Sequence, residues 1–268
     1  MKTAIYQYWD GDRSVGSAAG AHAMRVYADR IGAKYFYELN AKFVTNLGKY
    51  SPHYGAFKPV FDPSFDQYDY ILVADTDVWP VEHLEENIFD QFINTDIDVG
   101  ICEEWAQPEI RKKFNIGGIN AGNDKRWLHW VESYYGITLP VTEDGDLKIL
   151  NSGVVVYSKA ARRKMKQMYT PFQKYVNLVT NIGLPAFYTS DQTYLHAMLE
   201  VCKMNWMTMD YKWNSSVFYT PSTSGPNRPV IDLRSNPNFV HIQLNSKHAM
   251  DADRLWRVTN LPVEEWNL

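Results

Sequence analysis

The sequence predicts an α/β protein with a mixed, mostly parallel sheet flanked by helices, and two observations support this prediction. Strand-like and helix-like segments alternate from residue 3 to residue 103, which is the order of a protein built from βαβ units. Residues 70–74 form a continuous apolar run, the pattern of a strand buried on both faces. No repeat or linker interrupts the 268 residues, so we expect one domain over residues 1–268.

The N-terminal half alternates strands and helices. In chain order it predicts a strand at 3–8, a helix at 14–30, strands at 33–39 and 69–74, a helix at 81–92 and a strand at 97–103. The first helix carries apolar residues at i, i+3 and i+4 spacing, and Gly32 ends it. Trp79-Pro80 is expected to stop the third strand, and Pro80 suits the first turn of the next helix.

The C-terminal half begins with an irregular stretch, residues 104–148, rich in Trp, Gly, Asn and charge. The elements predicted from there are a helix at about 125–135, a strand at 149–159, helices at 160–169 and 190–202, and short strands over 204–244. Ser190 is a good N-cap for the helix that follows it.

Composition excludes some functional classes. Net charge is −4, from 27 Lys and Arg against 31 Asp and Glu, without a long basic block, so nucleic acid is not an expected partner. Two cysteines without metal-ligand spacing favour a reducing compartment. No signal peptide or run of 18 apolar residues is evident, so we expect a cytoplasmic protein without a transmembrane segment. The basic stretch 159–166 could contact an anionic membrane, but a solvated helix face is the favoured interpretation.

Two carboxylates, Asp75 and Asp77, directly follow the buried strand. Side chains two residues apart in an extended chain point the same way, and ligands of open α/β folds bind at the carboxyl ends of strands. Such a pair repels itself unless a proton or cation lies between the two groups. Mg²⁺ or Mn²⁺ holding a diphosphate would satisfy it. The other interpretation is a pair of surface acids at the start of the next helix.

Phosphatases of the haloacid dehalogenase type also place Asp-x-Asp at a strand end, with one Asp as nucleophile. Their pattern has Thr or Val four residues after the first Asp, where this chain has Trp79. Their motif also follows the first strand rather than the third. Both differences disfavour a phosphatase.

Together with the two aspartates, four later stretches resemble the GT-A glycosyltransferases of the glycogenin and glycosyltransferase family 8 type. They are LNSGVVVY at 150–157, SDQTYLH at 190–196, DYKWN at 210–214 and VHIQLNSK at 240–247. That family shows, in this order, Asp-x-Asp, Asn-Ser/Ala-Gly-Val, Asp-Gln, an aromatic-Asn pair and a late His followed six residues on by Lys. The resemblance extends from about residue 3 to residue 250.

The resemblance implies a GT-A fold and a metal-dependent transfer of a hexose or pentose from a UDP-sugar to an acceptor hydroxyl, with retention of configuration. The implied ligands of Mn²⁺ (or Mg²⁺) are Asp75, Asp77 and His241. The implied catalytic residues are Asp191, Gln192, Asn151 and Lys247. The residues implied for donor binding are Gln7, Tyr8, Trp9, Lys58, Asp75, Thr76, Asp77 and Gly153. Asn151 and Gly153 match a turn that follows a central strand in the family, where the amide faces the sugar.

The chain also departs from the family pattern. The family has Gly three residues after the late His and Pro-Trp after the Lys, where this chain has Leu244 and His248-Ala249. Ser190 and His196 replace a family Gly and Asn. Residues 104–148 are longer than the family core requires, which suggests an insertion on the acceptor side. Four aromatic residues there could stack on an acceptor sugar or belong to the core: Trp105, Trp127, Trp130 and Tyr134.

Other functions stay open. An inverting enzyme would need an acidic base, for which Glu103, Glu104 and Asp191 are candidates. A GT-A domain that binds a sugar nucleotide or glycan without turnover would share the same pattern. A nucleotidyltransferase would carry a basic, glycine-rich loop after the first strand, and residues 9–20 hold only Arg13 as a base. The acceptor could be a protein, a glycan or a lipid.

Overall fold

The structure is a computed structural model that describes residues 1–219 and 230–266. Its strands are β1 (Thr3–Trp9), β2 (Lys34–Leu39), β3 (Tyr70–Ala74), β4 (Val78–Pro80), β5 (Val99–Glu103), β6 (Leu150–Ser158), β7 (Trp206–Met209), β8 (Ser215–Tyr219), β9 (Val230–Asp232) and β10 (Phe239–Gln243). Its α-helices are α1 (Val15–Arg30), α2 (Lys58–Phe61), α3 (Gln107–Lys113), α4 (Ala121–Tyr135), α5 (Lys159–Met168), α6 (Phe172–Asn181), α7 (Asp191–Val201) and α8 (Ala252–Asn260).

A six-stranded sheet in the order β2-β1-β3-β6-β5-β7 forms the centre of the molecule. Its pairs are parallel except those of β6, which runs antiparallel to both β3 and β5. The apolar residues of β3 and β6 are buried, as the continuous apolar patterns predict. Because β6 is reversed, its first residues lie at the same edge of the sheet as the end of β3.

A second sheet in the order β4-β10-β8-β9 packs beside the first. Three residues separate its strand β4 from β3, and β4 pairs antiparallel with β10, placing Val78 opposite His241. Trp79 and Pro80 therefore do not merely stop a strand, as the sequence suggested. They belong to the second sheet, and the Asp-x-Asp segment is the short crossover between the two sheets.

The helix predicted at 81–92 is wrong. Its apolar residues have helical spacing, but His83 adopts a positive φ of 61°, which interrupts a right-handed helix. A short 3₁₀ helix at Ile88–Phe92, capped by the Asn87 side chain, forms instead. The apolar side chains of this segment are buried in the core, so tertiary packing produced the spacing that resembled a helix.

Residues 104–148 contain two helices, α3 and α4, where one was predicted. Asn151 and Gly153 lie within β6 rather than in a turn after a strand. The helices α6 and α8 had no counterpart in the prediction. Over the described residues 1–219 and 230–266, none of the helices combines the length and apolarity needed to cross a bilayer.

The basic stretch 159–166 is largely used within the fold. The Arg162 side chain is buried and donates to the carbonyl oxygens of Tyr157 and Tyr68 at 3.2 and 2.5 Å. Lys164 pairs with Asp98 at 2.5 Å. Arg162 and Lys164 therefore stabilise the packing of α5, whereas Arg163 on the same helix is exposed.

Candidate active site

Three potential metal ligands meet where the two sheets join. Asp75 follows β3, Asp77 precedes β4 and His241 lies on β10. The Val78 amide donates to the Asp75 carbonyl at 3.1 Å, and the Ile242 amide donates to the Asp77 carbonyl at 2.9 Å. These bonds hold the aspartates in a tight turn against β10. One ligand atom from each of the three side chains lies within 4.8 Å of the others.

The environment of the two carboxylates differs. Burial, reinforced by the charge of Asp77, raises the pKa of Asp75 to about 7. Burial would also raise the pKa of Asp77, but His241 and Lys247 outweigh it and hold that pKa well below its usual range. His241 Nε2 lies 3.4 Å from Asp77 Oδ1, and the Lys247 ammonium pairs with Oδ2.

This donor set fits a divalent cation. Two carboxylates and one imidazole can hold a divalent metal, and its charge would relieve the repulsion from Asp77 that adds to burial in raising the Asp75 pKa. Gly153 completes the site, because a Cβ there would come within 2.5 Å of His241 Cε1. The Gly153 carbonyl also accepts from the Asp75 amide at 2.9 Å, so β6 supports both ligands.

A cavity of about 250 Å³ opens above the aspartates. Its lining residues are Tyr8, Trp9, Asp10, Pro52, His53, Asp75, Thr76, Asp77, Lys247 and His248. The rings of Trp9 and His248 lie 4.9 Å apart between centroids. The structure therefore brings Tyr8, Trp9, Thr76 and Lys247 together with the aspartates, at a size and polarity that suit a small polar ligand.

Two residues expected at the donor lie elsewhere. Gln7 is fully buried, donates to the Asp75 carbonyl at 2.8 Å and accepts from Tyr35 at 2.8 Å. Lys58 pairs with both oxygens of Glu38 at 2.7 and 2.6 Å. Neither lines the cavity. Gln7 instead braces the backbone of the aspartate turn.

Asp191 begins α7, directly after the Ser190 N-cap. Burial raises the pKa of Asp191, although His53 and a hydrogen bond from Ser152 oppose that effect. His53 Nδ1 lies 3.9 Å from Asp191 Oδ1, and His53 also lines the cavity above the aspartates. Sequence reasoning missed His53, because nothing in SPHYG at 51–55 distinguishes it from an ordinary loop histidine.

Asn151 has both ends of its amide engaged. Its Oδ1 accepts from the Gly153 amide at 2.8 Å and from Asn214 Nδ2 at 2.9 Å, and its Nδ2 donates to Glu104 at 2.7 Å. Asn214 Oδ1 in turn lies 3.0 Å from His241 Nδ1. The side chain of Asn151 is therefore tied into a buried network, and only its edge borders a cavity.

That second cavity, of about 280 Å³, adjoins Asn151 and Gln192. Its lining residues are Glu104, Gln107, Arg111, Ile116, Ile119, Asn151, Phe187, Gln192, Phe218, Tyr219, Gln243 and Asn245. Residues 104–148 contribute five of these, but none of the four aromatic residues named in the sequence analysis is among them. Trp127 is fully buried and donates to Tyr175, whereas Trp105, Trp130 and Tyr134 are exposed.

Comparison with solved structures finds glycosyltransferases that resemble this chain. A glycosyltransferase involved in glycosylation of the major capsid of PBCV-1 gives a TM-score of 0.52 at 12% identity, covering 95% of this chain and 98% of that chain. The galactosyltransferase LgtC, solved with donor and acceptor sugar analogs, gives 0.49 at 14% identity and 98% coverage of both chains. Mouse xyloside xylosyltransferase 1 gives 0.47 at 12% identity, covering 90% of this chain and 97% of that chain. No family model and no curated protein matches the sequence.

The comparison with the capsid-modifying enzyme, together with the sheet order, shows the fold. The chain has the GT-A glycosyltransferase fold, and the fold class predicted from the sequence is confirmed.

Proposed function

We propose that this protein is a metal-dependent glycosyltransferase that transfers a sugar from a UDP-sugar to an acceptor hydroxyl. The observation that supports it most is the group Asp75, Asp77 and His241, whose ligand atoms lie within 4.8 Å of one another. The two aspartates of this group line the cavity. The GT-A fold supplies the context for this site. The proposed cofactor is Mn²⁺, with Mg²⁺ as its alternative.

A bound divalent cation would neutralise the donor diphosphate and stabilise the charge that develops on the leaving group. Lys247, at the rim of the same cavity, is proposed to pair with that diphosphate. Trp9 and Tyr8 supply aromatic faces on which a uracil ring can stack. Gln192 lines the second cavity, and Asp191 lies 3.9 Å from His53 of the first. Both are proposed to position the transferred sugar.

We propose that the cavity beside Gln192 holds the acceptor. It adjoins the proposed sugar position, and residues 104–148 form much of its wall. Retention of configuration is proposed from the family resemblance, and we propose that the leaving phosphate oxygen takes the proton of the acceptor hydroxyl. The acceptor-side acid Glu104 already accepts hydrogen bonds from Asn151 and Gln243, which leaves it less available as a base.

The test is release of UDP or GDP from a panel of UDP- and GDP-sugars, with Mn²⁺ or with EDTA, for the native chain and Asp77→Asn. We expect metal-dependent turnover of one donor and a loss of at least about 100-fold in Asp77→Asn, because the substitution removes a charged ligand. The control variant is Asp253→Asn, an exposed aspartate that pairs with Arg257. Metal-dependent UDP binding without turnover, even with an acceptor panel, would indicate a binding domain. Absence of UDP binding would contradict the proposal.

A further inference from the structure

A chain of hydrogen-bonded side chains leads from His241 to the acceptor-side cavity. It runs from His241 through Asn214 and Asn151 to Glu104, with donor-acceptor distances of 3.0, 2.9 and 2.7 Å. All four residues are buried, with Asn214 only 1% exposed. A buried network in which the amides have all of these hydrogen bonds satisfied holds its side chains in one geometry. In the described part of the chain, neither asparagine forms a side-chain hydrogen bond with the two aspartates, and Asn214 reaches the site through His241.

The donor and the acceptor of each hydrogen bond in this chain of side chains can be assigned by starting from the Gly153 backbone amide. The Gly153 backbone amide can only donate, so the atom of Asn151 that faces it at 2.8 Å must be the oxygen. The Asn151 nitrogen then faces Glu104, whose carboxylate accepts. The hydrogen bonds at the oxygen and at the nitrogen of the Asn151 side chain therefore require the same orientation of its amide.

The same logic fixes Asn214 and then His241. The Asn151 oxygen accepts from the next residue, so Asn214 must present its nitrogen to it. The Asn214 oxygen therefore faces His241 Nδ1 and needs a proton there. A neutral imidazole protonated on Nδ1 has its lone pair on Nε2, and Nε2 is the nitrogen that faces Asp77 at 3.4 Å.

We propose that Asn214, held by Asn151, is a positioning residue that keeps the proton of His241 on Nδ1, so that Nε2 is free to bind the metal. The inference rests on the proposed metal-dependent function and assigns a role to the aromatic-Asn pair, Trp213-Asn214, and to Asn151. Metal-bound histidines usually donate their second ring N–H to such a partner, and loss of the partner weakens metal affinity about 10–100-fold. If Asn214 were reversed, its amide nitrogen would face Nδ1 and favour the proton on Nε2, where it blocks metal binding.

The experiment measures Mn²⁺ affinity directly, by electron paramagnetic resonance without donor or acceptor. It also measures the His241 tautomer by ¹⁵N NMR of the metal-free, histidine-labelled protein, at a pH high enough that the imidazole is neutral, because burial would lower the His241 pKa but Asp77 outweighs it and raises that pKa. Asn214→Leu is expected to bind Mn²⁺ about tenfold or more weakly and to lose the Nδ1–H signal. Asn214→Asp keeps an oxygen opposite Nδ1 but loses the donor to Asn151, so it is expected to retain the Nδ1–H signal and more of the affinity than Asn214→Leu. The matched control is Asn238→Leu, at a buried asparagine whose side chain bonds to Glu86.

Several results would overturn the inference. They are an unprotonated Nδ1 in the native chain, Mn²⁺ affinity in Asn214→Leu equal to that of Asn238→Leu, or equal losses in Asn214→Asp and Asn214→Leu. The native NMR spectrum and Asn214→Asp keep the test valid if Asn214→Leu does not fold. A native chain that binds no Mn²⁺ but carries the Nδ1 proton would contradict the proposed metal dependence and not the assignment of the tautomer.

Discussion

Asp75 and Asp77 are chemically different although they belong to one motif. Asp77 has a partner at each oxygen, the Lys247 ammonium at Oδ2 and the His241 imidazole at Oδ1. Asp75 is buried beside it, and its raised pKa of about 7 reflects the lack of comparable compensation. In the metal-free protein, Lys247 therefore supplies part of the positive charge that the two carboxylates require.

This arrangement predicts that Lys247 and a metal compete for Asp77. Lys247→Met should raise the affinity for Mn²⁺ in the absence of nucleotide, on the order of tenfold, because a like charge next to the cation is removed. The same variant should lower the rate of donor cleavage, because the proposed partner of the leaving diphosphate is lost. Calorimetric titration with Mn²⁺ measures the first effect, and Lys166→Met, a lysine paired with Asp66, is the control. Unchanged or weaker Mn²⁺ binding in Lys247→Met would contradict the competition.

At the residue scale, the sequence predicted where the two aspartates lie better than it predicted the contacts of the other candidate residues. Asp75 and Asp77 could be singled out from the strand pattern, because two charged side chains directly after a buried strand require a specific explanation. His241 could be connected to them only through the family resemblance. Gln7 and Lys58 matched family positions, yet their side chains are used by Tyr35 and Glu38. Local sequence does not show which partner a polar side chain selects.

At the scale of elements, α1 supports both loops of the site through two glycines on one face. A Cβ on Gly16 would lie 2.1 Å from the Lys247 carbonyl oxygen, and a Cβ on Gly20 would lie 2.0 Å from that of Thr76. Glycine within a helix costs roughly 0.5–1 kcal/mol relative to alanine. Because the two glycines have no side chain, α1 can approach the backbone of both loops closely. The Gly16 amide also donates to the His248 carbonyl at 3.2 Å.

Gly16→Ala is therefore expected to displace the loop that carries Lys247 and His248. The helix itself should become slightly more favourable, so the fold should persist while UDP affinity in the presence of Mn²⁺ falls about tenfold or more, as expected when a fixed ligand contact is lost. Calorimetry with UDP measures this change, and thermal unfolding monitors the fold. His22→Ala, at an exposed position on the same helix, provides the control. UDP affinity equal to that of His22→Ala would show that the loop does not depend on this contact.

Elements with strong local signals were predicted well, whereas those defined by packing were not. The strands β1, β3 and β6 and the helices α1 and α7 have periodic patterns or caps, and the structure places them within a few residues of the prediction. The segment 81–92 had helical spacing but forms a 3₁₀ turn after His83, because its apolar side chains fill the core beneath α1. Spacing alone does not distinguish these two cases.

At the scale of the whole molecule, the site exists because two sheets meet. The crossover from β3 to β4 carries the aspartates from the first sheet to the second, and β10 then brings His241 beside them. This pairing joins segments far apart in the sequence, so no local pattern could reveal it. The antiparallel β6, which places Gly153 next to both ligands, depends equally on the overall topology.

The stability of the whole molecule should depend on pH through His196, which lies in α7 away from the metal ligands. His196 is buried, its Nε2 has no hydrogen-bond partner among the described residues, and burial lowers its pKa to about 3. In the unfolded chain this histidine binds a proton near pH 6.5, whereas in the folded protein it does not. Its contribution to the free energy of unfolding is therefore fully present above pH 6.5 and is lost as the pH falls towards 3. Between pH 7.5 and 5, this histidine should account for a loss of about 2 kcal/mol in the free energy of unfolding.

Urea denaturation of the native chain and of His196→Gln at both pH values isolates the contribution, since the variant should lack that part of the loss. His22→Gln, at an exposed histidine, should keep the full native dependence, and a native-like dependence in His196→Gln would contradict the assignment.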